Sequence, residues 1–368
     1  MTLELFAIAA LVALACGLVG AFLVLRGLSM LADSITHTML LGIVVAFFLT
    51  GSLNSPWLLF GAAAVGVVTA WLTELLTKTG LVAEDSAVGM VFPLLFSLAL
   101  LLITRYASMV HLDVDTVLLG ELAFAPFDRL IIAGRDVGPK ALYTSLFLAL
   151  LNGGAVFLFF KELKVSTFDS LLAASLGFSP LVMHYGLMTL VSLTAVGAFQ
   201  AVGAVLVVAF MVGPPLTALL LTKDLKSLIF LSALIGVVSS GLGLALALAL
   251  DVSIAGAMAL VVGLVFCGAV FCAPQKGILS RLMRRRAQKQ AFDRAVVMMH
   301  LCHHRLAPNA DSENNLSTLG DHLHWPENKI RHTLQSLAEA GYISLEEGVL
   351  YPTDEGLEAT KALVEGIV

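Results

Sequence analysis

Long apolar runs constrain this chain more than any other feature of its sequence. Of its 368 residues, 59% are hydrophobic and only 13% are charged. A helix needs about 20 apolar residues to cross a hydrocarbon core about 30 Å thick. Runs of about that length or longer recur along the first three quarters of the chain, at residues 3–25, 27–50, 56–77, 87–104, 141–160, 181–221, 227–250 and 253–273. In lipid, the backbone N–H and C=O groups of a segment must form their hydrogen bonds within the protein, as they do in a helix. The sequence therefore predicts an all-α polytopic membrane protein.

The number of spans depends on the run 181–221. Its 41 residues would make a single helix about 61 Å long, roughly twice the thickness of the hydrocarbon core. The run must therefore be broken, and its candidate break points are Gly197, Gly203, Gly213, Pro214 and Pro215. A hairpin of two spans gives nine transmembrane helices, whereas a re-entrant segment gives eight.

Basic residues at the span ends predict the orientation, because short cytoplasmic loops carry an excess of Lys and Arg. Three clusters fall at span ends: Lys161 and Lys164; Lys223 and Lys226; and Arg281, Arg284, Arg285, Arg286 and Lys289. Two spans between successive clusters keep all three on the cytoplasmic side, which favours the hairpin and an external N-terminus. Arg129, Arg135 and Lys140 fit this topology poorly, unless residues 117–127 dip into the membrane.

The charge balance changes near the end of the chain. From Ala291 onward there are twelve acidic and five basic residues, for a net charge of −7, whereas the preceding part carries +2. The sequence therefore predicts a transmembrane domain over 1–275, a basic juxtamembrane linker over 276–290, and a soluble cytoplasmic domain over 291–368.

The soluble part has the pattern of a small α+β domain. The expected elements, in order, are a helix over 291–305, a short helix over 316–323, a helix from Pro326 to Gly341, a hairpin that turns at 346–348, and a last helix capped by Asp354 and ending near Val364. The order of a helix, a helix-turn-helix, a β-hairpin wing and a last helix is typical of a winged-helix domain.

Asp33 and His37 are polar residues inside the second apolar run, where such side chains are unusual. They are spaced i, i+4, so a helix places both side chains on one face. Counted from Arg26, they lie roughly 10 and 16 Å along the helix axis, where a charged Asp costs about 2.5–3.5 kcal/mol to insert. A carboxylate beside an imidazole suits Mn²⁺, Zn²⁺ or Fe²⁺. The alternative is a capping Asp and a core His, if the helix starts at Ser34.

Several motifs together resemble the permease subunits of the manganese, zinc and iron ABC importers, over about residues 5–273. The motifs are Phe22 to Arg26, Asp33-x-x-x-His37-x-x-x-x-Gly42, Glu84-Asp85-x-x-x-Gly89, Lys161-Glu162-Leu163, Phe168-Asp169-x-x-x-Ala173-x-x-x-Gly177, Ala195 to Pro214 and Leu231 to Gly243. Where the family usually has a proline before Gly42 and small residues beside the His, this chain has Leu41, Thr36 and Thr38. Asp33 and His37 remain in place.

The resemblance implies a transporter subunit of the bacterial cytoplasmic membrane that is not itself an enzyme. It implies a separate ATP-binding cassette ATPase, a metal-binding solute-binding protein and a second permease subunit, identical or different, in contact with membrane lipid. Manganese is the favoured cargo, with zinc and iron as alternatives, and no permanently bound cofactor is expected. Phe168, Asp169, Ala173 and Gly177 would couple the permease to the ATPase; the alternative is an ordinary interfacial loop. The sequence has no Walker A motif, so ATP hydrolysis is assigned to the partner chain.

The tail resembles the winged-helix domain of metal-dependent repressors of the diphtheria-toxin-repressor type, in residues 337–343 and 350–356. It contains six of the nine histidines. His300 and His304 share a helical face and are candidate regulatory metal ligands; satisfied surface histidines are the alternative. DNA binding is not favoured, because phosphate contacts need a basic surface and this domain is acidic.

Two other functions remain as alternatives. One is a membrane-tethered metal-sensing transcriptional regulator that uses the winged-helix tail. The other is an importer of metal chelates, which would need a wider path and no Asp–His pair in mid-span. Among the remaining polar residues, Glu84 and Asp85 are expected to favour a helix N-terminus, and His184 to be structural. His111, Asp113 and Asp115 are expected in a solvated outer loop, with a metal-attracting mouth as the alternative.

Overall fold

The computed structural model describes residues 2–51, 55, 57–106, 122–132, 135–274, 276–304, 313–316, 318–346 and 348–365. The chain forms two compact units, Met1–Gly277 and Ile278–Val368. The basic stretch 276–290 is not a separate linker, since a helix begins at Ile278 and continues to His304. The Arg, Gln, Lys and Ala residues of this stretch are good helix formers, which explains the continuous helix.

Within the described residues, nine helices of the first unit are long and apolar enough to cross a membrane. They are α1 (Thr2–Leu25), α2 (Ser29–Thr50), α3 (Trp57–Lys78), α4 (Glu84–Tyr106), α5 (Lys140–Leu158), α8 (Pro180–Val202), α9 (Ala204–Leu221), α10 (Leu225–Leu250) and α11 (Ile254–Cys272). Shorter elements lie between α4 and α8: a 3₁₀ turn (Leu122–Phe124), the antiparallel strands β1 (Arg129–Ile132) and β2 (Arg135–Pro139), and the helices α6 (Phe160–Phe168) and α7 (Ser170–Ser175).

The long run 181–221 forms a hairpin that breaks at Gly203. This residue has φ +80°, a backbone conformation that glycine adopts without steric cost. At the start of α8, His184 lies 3.5 Å from the Arg26 side chain. Towards the end of α9, Ala218 packs in one cluster with Ala21 of α1. Both arms therefore return to the same end of α1, and the nine-span hairpin is the arrangement that the structure shows.

Helix α1 forms the centre of the first unit. It is apolar on every side, as expected of a helix surrounded by others. It packs mainly against α5, α8, α9 and α10, and also touches α2 and α6. At its closest approach, a Cβ built on Gly20 would lie 2.0 Å from the carbonyl oxygen of Met211. Only glycine allows α1 and α9 to meet at this distance.

Basic residues from several loops gather at one end of the bundle. Arg26 donates hydrogen bonds to the hydroxyl oxygens of Thr167 and Ser166 in α6, each at 3.1 Å. The Lys226 ammonium lies 5.9 Å from the centre of the Phe160 ring. The α1–α2 connection, α6 and the start of α10 therefore share one end, as the distribution of basic residues predicts.

Two of the basic residues that fit the topology poorly, Arg129 and Lys140, lie at the other end and are balanced by acids. Arg129 pairs with Asp136, and its guanidinium also lies 3.5 Å from the Glu4 carboxylate. The hydrogen bond from Arg129 lowers the pKa of Asp136. Lys140 pairs with Asp128 at 2.8 Å. Because these positive charges are neutralised locally, they need not face the cytoplasm.

Part of the sequence prediction for this end is not tested. Of residues 117–127, which the sequence allows to dip into the membrane, 117–121 lie outside the described residues. Leu122, which follows them, is buried in the core cluster of the first unit.

The second unit contains α12 (Ile278–His304), α13 (Leu319–Leu323), α14 (Glu327–Glu339), β3 (Ile343–Glu346), β4 (Val349–Pro352) and α15 (Asp354–Glu365). The two strands form an antiparallel hairpin, as predicted, and the unit has its own apolar core around Val297, Leu301 and Leu337. The short helix covers less than the predicted 316–323. The cap of the last helix is Thr353, whose hydroxyl accepts a hydrogen bond from the Gly356 N–H at 3.1 Å, so the prediction of Asp354 as its cap is wrong by one residue.

Candidate metal centre

Asp33 and His37 lie inside α2 and face the same way. The helix begins at Ser29 with Leu28 at its N-cap, so Asp33 is not a capping residue. The Asp33 Oδ1 and His37 Nε2 atoms are 3.6 Å apart. The interpretation of this pair as a helix cap with a core histidine therefore does not hold for Asp33.

The pair lies on the side of α2 that packs against α4 and is partly exposed. The His37 ring packs on Phe92 and Phe96, with ring centroids 5.2 and 6.2 Å away. The Asp33 side chain is 50% exposed and that of His37 is 30% exposed. Met30, one turn before Asp33, is also exposed. A half-exposed carboxylate within a membrane span is costly unless it faces water or another protein.

Close packing against α3 holds this part of α2 in place. A Cβ built on Gly42 would lie 2.3 Å from the carbonyl oxygen of Gly61, so the glycine of the Asp33–His37–Gly42 motif allows the two backbones to touch. The Thr38 and Thr69 hydroxyls are hydrogen-bonded at 2.8 Å. Thr38, one of the departures from the family pattern, therefore adds a link between α2 and α3.

Asp33 and His37 supply an oxygen and a nitrogen ligand, which together make an incomplete coordination shell for a transition-metal ion. Among the described residues, the one group of three or more His, Cys, Asp or Glu side chains with metal-binding geometry lies elsewhere, in the second unit. Any further ligands at Asp33 and His37 would be waters, backbone carbonyls or groups from another chain.

A second polar network lies at the basic end of the bundle. The Glu74 carboxylate accepts a hydrogen bond from the Tyr185 hydroxyl at 2.6 Å, pairs with Lys78 at 2.7 Å, and lies 3.7 Å from the His184 ring. Glu74, Lys78, His184 and Glu84 line a cavity of about 320 Å³. His184 and Glu84 were expected to be structural, and Glu74 was missed. The sequence signal for Glu74 was a carboxylate inside an apolar run, which is the same type of signal that identified Asp33.

The segment Phe168–Gly177 forms a short helix with an exposed apolar surface. The Asp169 carboxylate caps α7 by accepting a hydrogen bond from the Leu172 N–H at 2.9 Å, and Gly177 ends it with φ +84°. Ala173 is buried, whereas 63% of Phe168 is exposed. The hydrogen bonds from Arg26 to Ser166 and Thr167 connect the residues before α2 to this segment.

The histidines of the second unit are arranged differently from the prediction. His300 forms a three-residue group with Glu313 and His322. His304, predicted as its partner, contributes a ring 4.7 Å from that of His300 but is not a member of the group. Glu313 and His322 were missed because the three residues are far apart in sequence. His111, Asp113 and Asp115 lie outside the described residues.

Comparison with known proteins gives a consistent result. The model of the ABC 3 transport family matches residues 1–273. The chain is 41% identical to the zinc transport system membrane protein TroD of Treponema pallidum over 367 residues, which cover 99% of each chain. It is 44% identical to the manganese transport system membrane protein MntD of Bacillus subtilis over 274 residues, which cover 74% of this chain and 92% of MntD.

A solved structure shows the same fold for the membrane unit. PsaBC from Streptococcus pneumoniae, in complex with a Fab, superposes with a TM-score of 0.62 at 28% identity. The superposition covers 77% of this chain and 94% of the matched chain.

Proposed function

The chain belongs to the ABC 3 transport family, and from this premise we propose that it is the membrane-spanning subunit of an ABC importer for manganese or zinc. One relative is named for zinc transport and another for manganese transport. The donor pair Asp33 and His37 suits both ions. ATP hydrolysis is the task of a separate subunit, and the ion is cargo rather than a resident cofactor.

The observation that carries this proposal is the Asp33–His37 pair, 3.6 Å apart and partly exposed within α2. A transport site must bind its ion firmly enough to admit it and weakly enough to release it. Two partly exposed protein ligands satisfy this requirement better than a closed cage. Iron remains chemically compatible with the same pair.

We propose that a second permease subunit, identical or homologous, covers the exposed surface of α2 beside α4. Its own Asp–His pair, or waters and backbone carbonyls, would complete the coordination shell. The half-exposed Asp33 carboxylate supports this arrangement, since such a group is unfavourable against lipid. A solute-binding protein would deliver the ion at the end of the bundle where Glu4 and Arg129 lie.

We propose that α7 docks on the ATPase at the opposite, cytoplasmic end. Phe168 would insert into the ATPase, with Asp169, Ala173 and Gly177 shaping the short helix behind it. Arg26 is hydrogen-bonded to α6 directly before Phe168 and precedes α2 by three residues. A movement of α7 and the adjoining end of α6 would therefore be transmitted to α2 through the side chain of Arg26.

We propose a cytoplasmic winged-helix role for the second unit, which would regulate transport or mediate dimerisation. Its order of three helices, a hairpin and a final helix is compatible with that domain. The unit is acidic, and its Lys329 already pairs with Asp293 at 2.8 Å, so a role in DNA binding is not favoured. The alternative of a tethered transcriptional regulator is also not favoured, because the TroD similarity over the whole length is to a transport protein.

The experiment that tests the proposed function is metal accumulation in bacteria that lack their own manganese and zinc importers. Cells that express the chain with the subunits encoded beside its gene should accumulate ⁵⁴Mn or ⁶⁵Zn above the level of cells lacking the chain. Cells in which the ATPase subunit carries an inactive Walker A lysine provide the control, and should remain at background. ATP-dependent accumulation that does not require this chain would refute the proposal.

A further inference from the structure

The second unit brings three ligand-type side chains together from three separate segments. His300 comes from the end of α12, Glu313 precedes α13, and His322 lies within α13. One potential ligand atom from each lies within 4.8 Å of the other two. The His322 Nδ1 and Glu313 Oε2 atoms are 3.1 Å apart, and the rings of His300 and His322 have centroids 5.9 Å apart.

Two imidazoles and one carboxylate form a recognised ligand set for first-row transition metals. It occurs in zinc sites that keep an open fourth position, with metal–ligand bonds of about 2.0–2.2 Å. Ligand atoms around such an ion lie roughly 3.3–3.6 Å apart if the geometry is tetrahedral. The His322–Glu313 distance of 3.1 Å is slightly shorter than this range. The other separations are at most 4.8 Å, so they need to shorten by no more than about 1.5 Å.

The environment of the group supports a built site. The His300 Nε2 donates to the backbone carbonyl oxygen of Glu313 at 3.3 Å, and carbonyl contacts of this type fix ring orientation around metals. The His322 side chain is 36% exposed, so an ion has access from solvent. His304, whose ring lies 4.7 Å from that of His300, is close enough to act as a further ligand after a rotation.

We propose that His300, Glu313 and His322 form a binding site for a divalent transition-metal ion, distinct from the transport pair, with zinc bound more tightly than manganese. The preference follows from the general order of stability of divalent complexes with nitrogen and oxygen ligands. An ion at this site would connect α12, α13 and the segment before α13 that contains Glu313. The meaning of the site for regulation rests on the proposed transport function, whereas its ability to bind metal does not.

Zinc binding to the full-length chain in detergent tests the proposal. The Asp33→Ala/His37→Ala double variant is the starting protein, so that the transport pair does not contribute. Equilibrium dialysis with ⁶⁵Zn should give one tightly bound ion, and adding His322→Gln should weaken its binding at least about tenfold. The matched control is His332→Gln, which replaces an exposed histidine of α14 outside the group and should leave binding unchanged.

Two results would overturn the proposal: zinc binding that His322→Gln leaves intact, or manganese bound more tightly than zinc. A measurement on the unsubstituted chain guards against a misfolded variant. Zinc should protect His300 and His322, but not His332, from modification by diethyl pyrocarbonate, as read by mass spectrometry. Equal modification with and without zinc also contradicts the site. Neither measurement depends on transport, so the proposed function stands or fails separately.

Discussion

Metal uptake should fall to background when either Asp33 or His37 is replaced by alanine in the assembled transporter. Each substitution removes one of the two protein ligands that this chain places in α2, and water cannot replace a lost ligand without a large loss of affinity. Changes even in residues that only support a metal ligand typically cost 10- to 100-fold in affinity, so direct ligand loss should cost at least that much. The measurement is the initial rate of ATP-dependent ⁵⁴Mn or ⁶⁵Zn uptake into proteoliposomes.

The matched control for this pair is Met30→Ala. Met30 is exposed on the same side of α2, 54% in the free chain, but it has neither the carboxylate that suits manganese nor the imidazole that suits zinc. Its substitution should leave uptake within about twofold of the unsubstituted protein. Size-exclusion chromatography should show that all variants assemble with the ATPase. Correctly assembled Asp33→Ala and His37→Ala complexes that transport at the normal rate would remove the pair from the pathway.

The second large effect is expected at Phe168. The side chain is 63% exposed at the junction of α6 and α7, where docking on the ATPase would bury it. Burial of a phenylalanine contributes about 1.5–3 kcal/mol, which corresponds to a roughly 10- to 150-fold change in affinity. Phe168→Ala should therefore reduce the amount of ATPase that copurifies with the chain and lower metal-stimulated ATP hydrolysis in parallel.

An exposed phenylalanine within a span provides the control for Phe168. Phe147 in α5 is also 63% exposed and lies 11 residues before the end of that helix at Leu158, so it is remote from α7. Phe147→Ala should retain normal copurification of the ATPase. If both substitutions have the same effect, or if Phe168→Ala has none, α7 is not the docking element.

The spans were predictable because a membrane leaves few options for long apolar runs. A break in 181–221 followed from its length, since no single helix of 41 residues fits the hydrocarbon core, and the basic clusters favoured a hairpin over a re-entrant segment. The position of the break did not follow, because five glycines and prolines were equally suitable by type. Gly203 was selected by packing: the residues around it are buried on both sides of the break.

Local charge balance was harder to predict than hydrophobicity. Arg129 and Lys140 looked misplaced by the rule that assigns basic residues to the cytoplasm. Their acidic partners, Glu4, Asp128 and Asp136, include one that is 125 positions away. A rule that counts only positive charges cannot include such pairs.

The two proposed metal sites differ in how far the sequence could identify them. Asp33 and His37 lie one helical turn apart, so their spacing in the sequence was enough to predict that their side chains are neighbours. His300, Glu313 and His322 depend on the fold of the second unit, and sequence suggested only His300 with His304. The exposure of the Asp33 carboxylate could not be predicted either, because the hydrophobic periodicity of an almost wholly apolar helix does not distinguish its faces.

The most direct test of the central claim is to locate the ion in the assembled complex. Crystals of the complex grown with zinc, or with manganese, should give an anomalous difference peak about 2.0–2.3 Å from the Asp33 carboxylate and the His37 imidazole. The peak should be absent from crystals of the His37→Ala complex grown under the same conditions. A peak in the membrane region that contacts neither residue, or one that persists in the His37→Ala complex, would contradict the account.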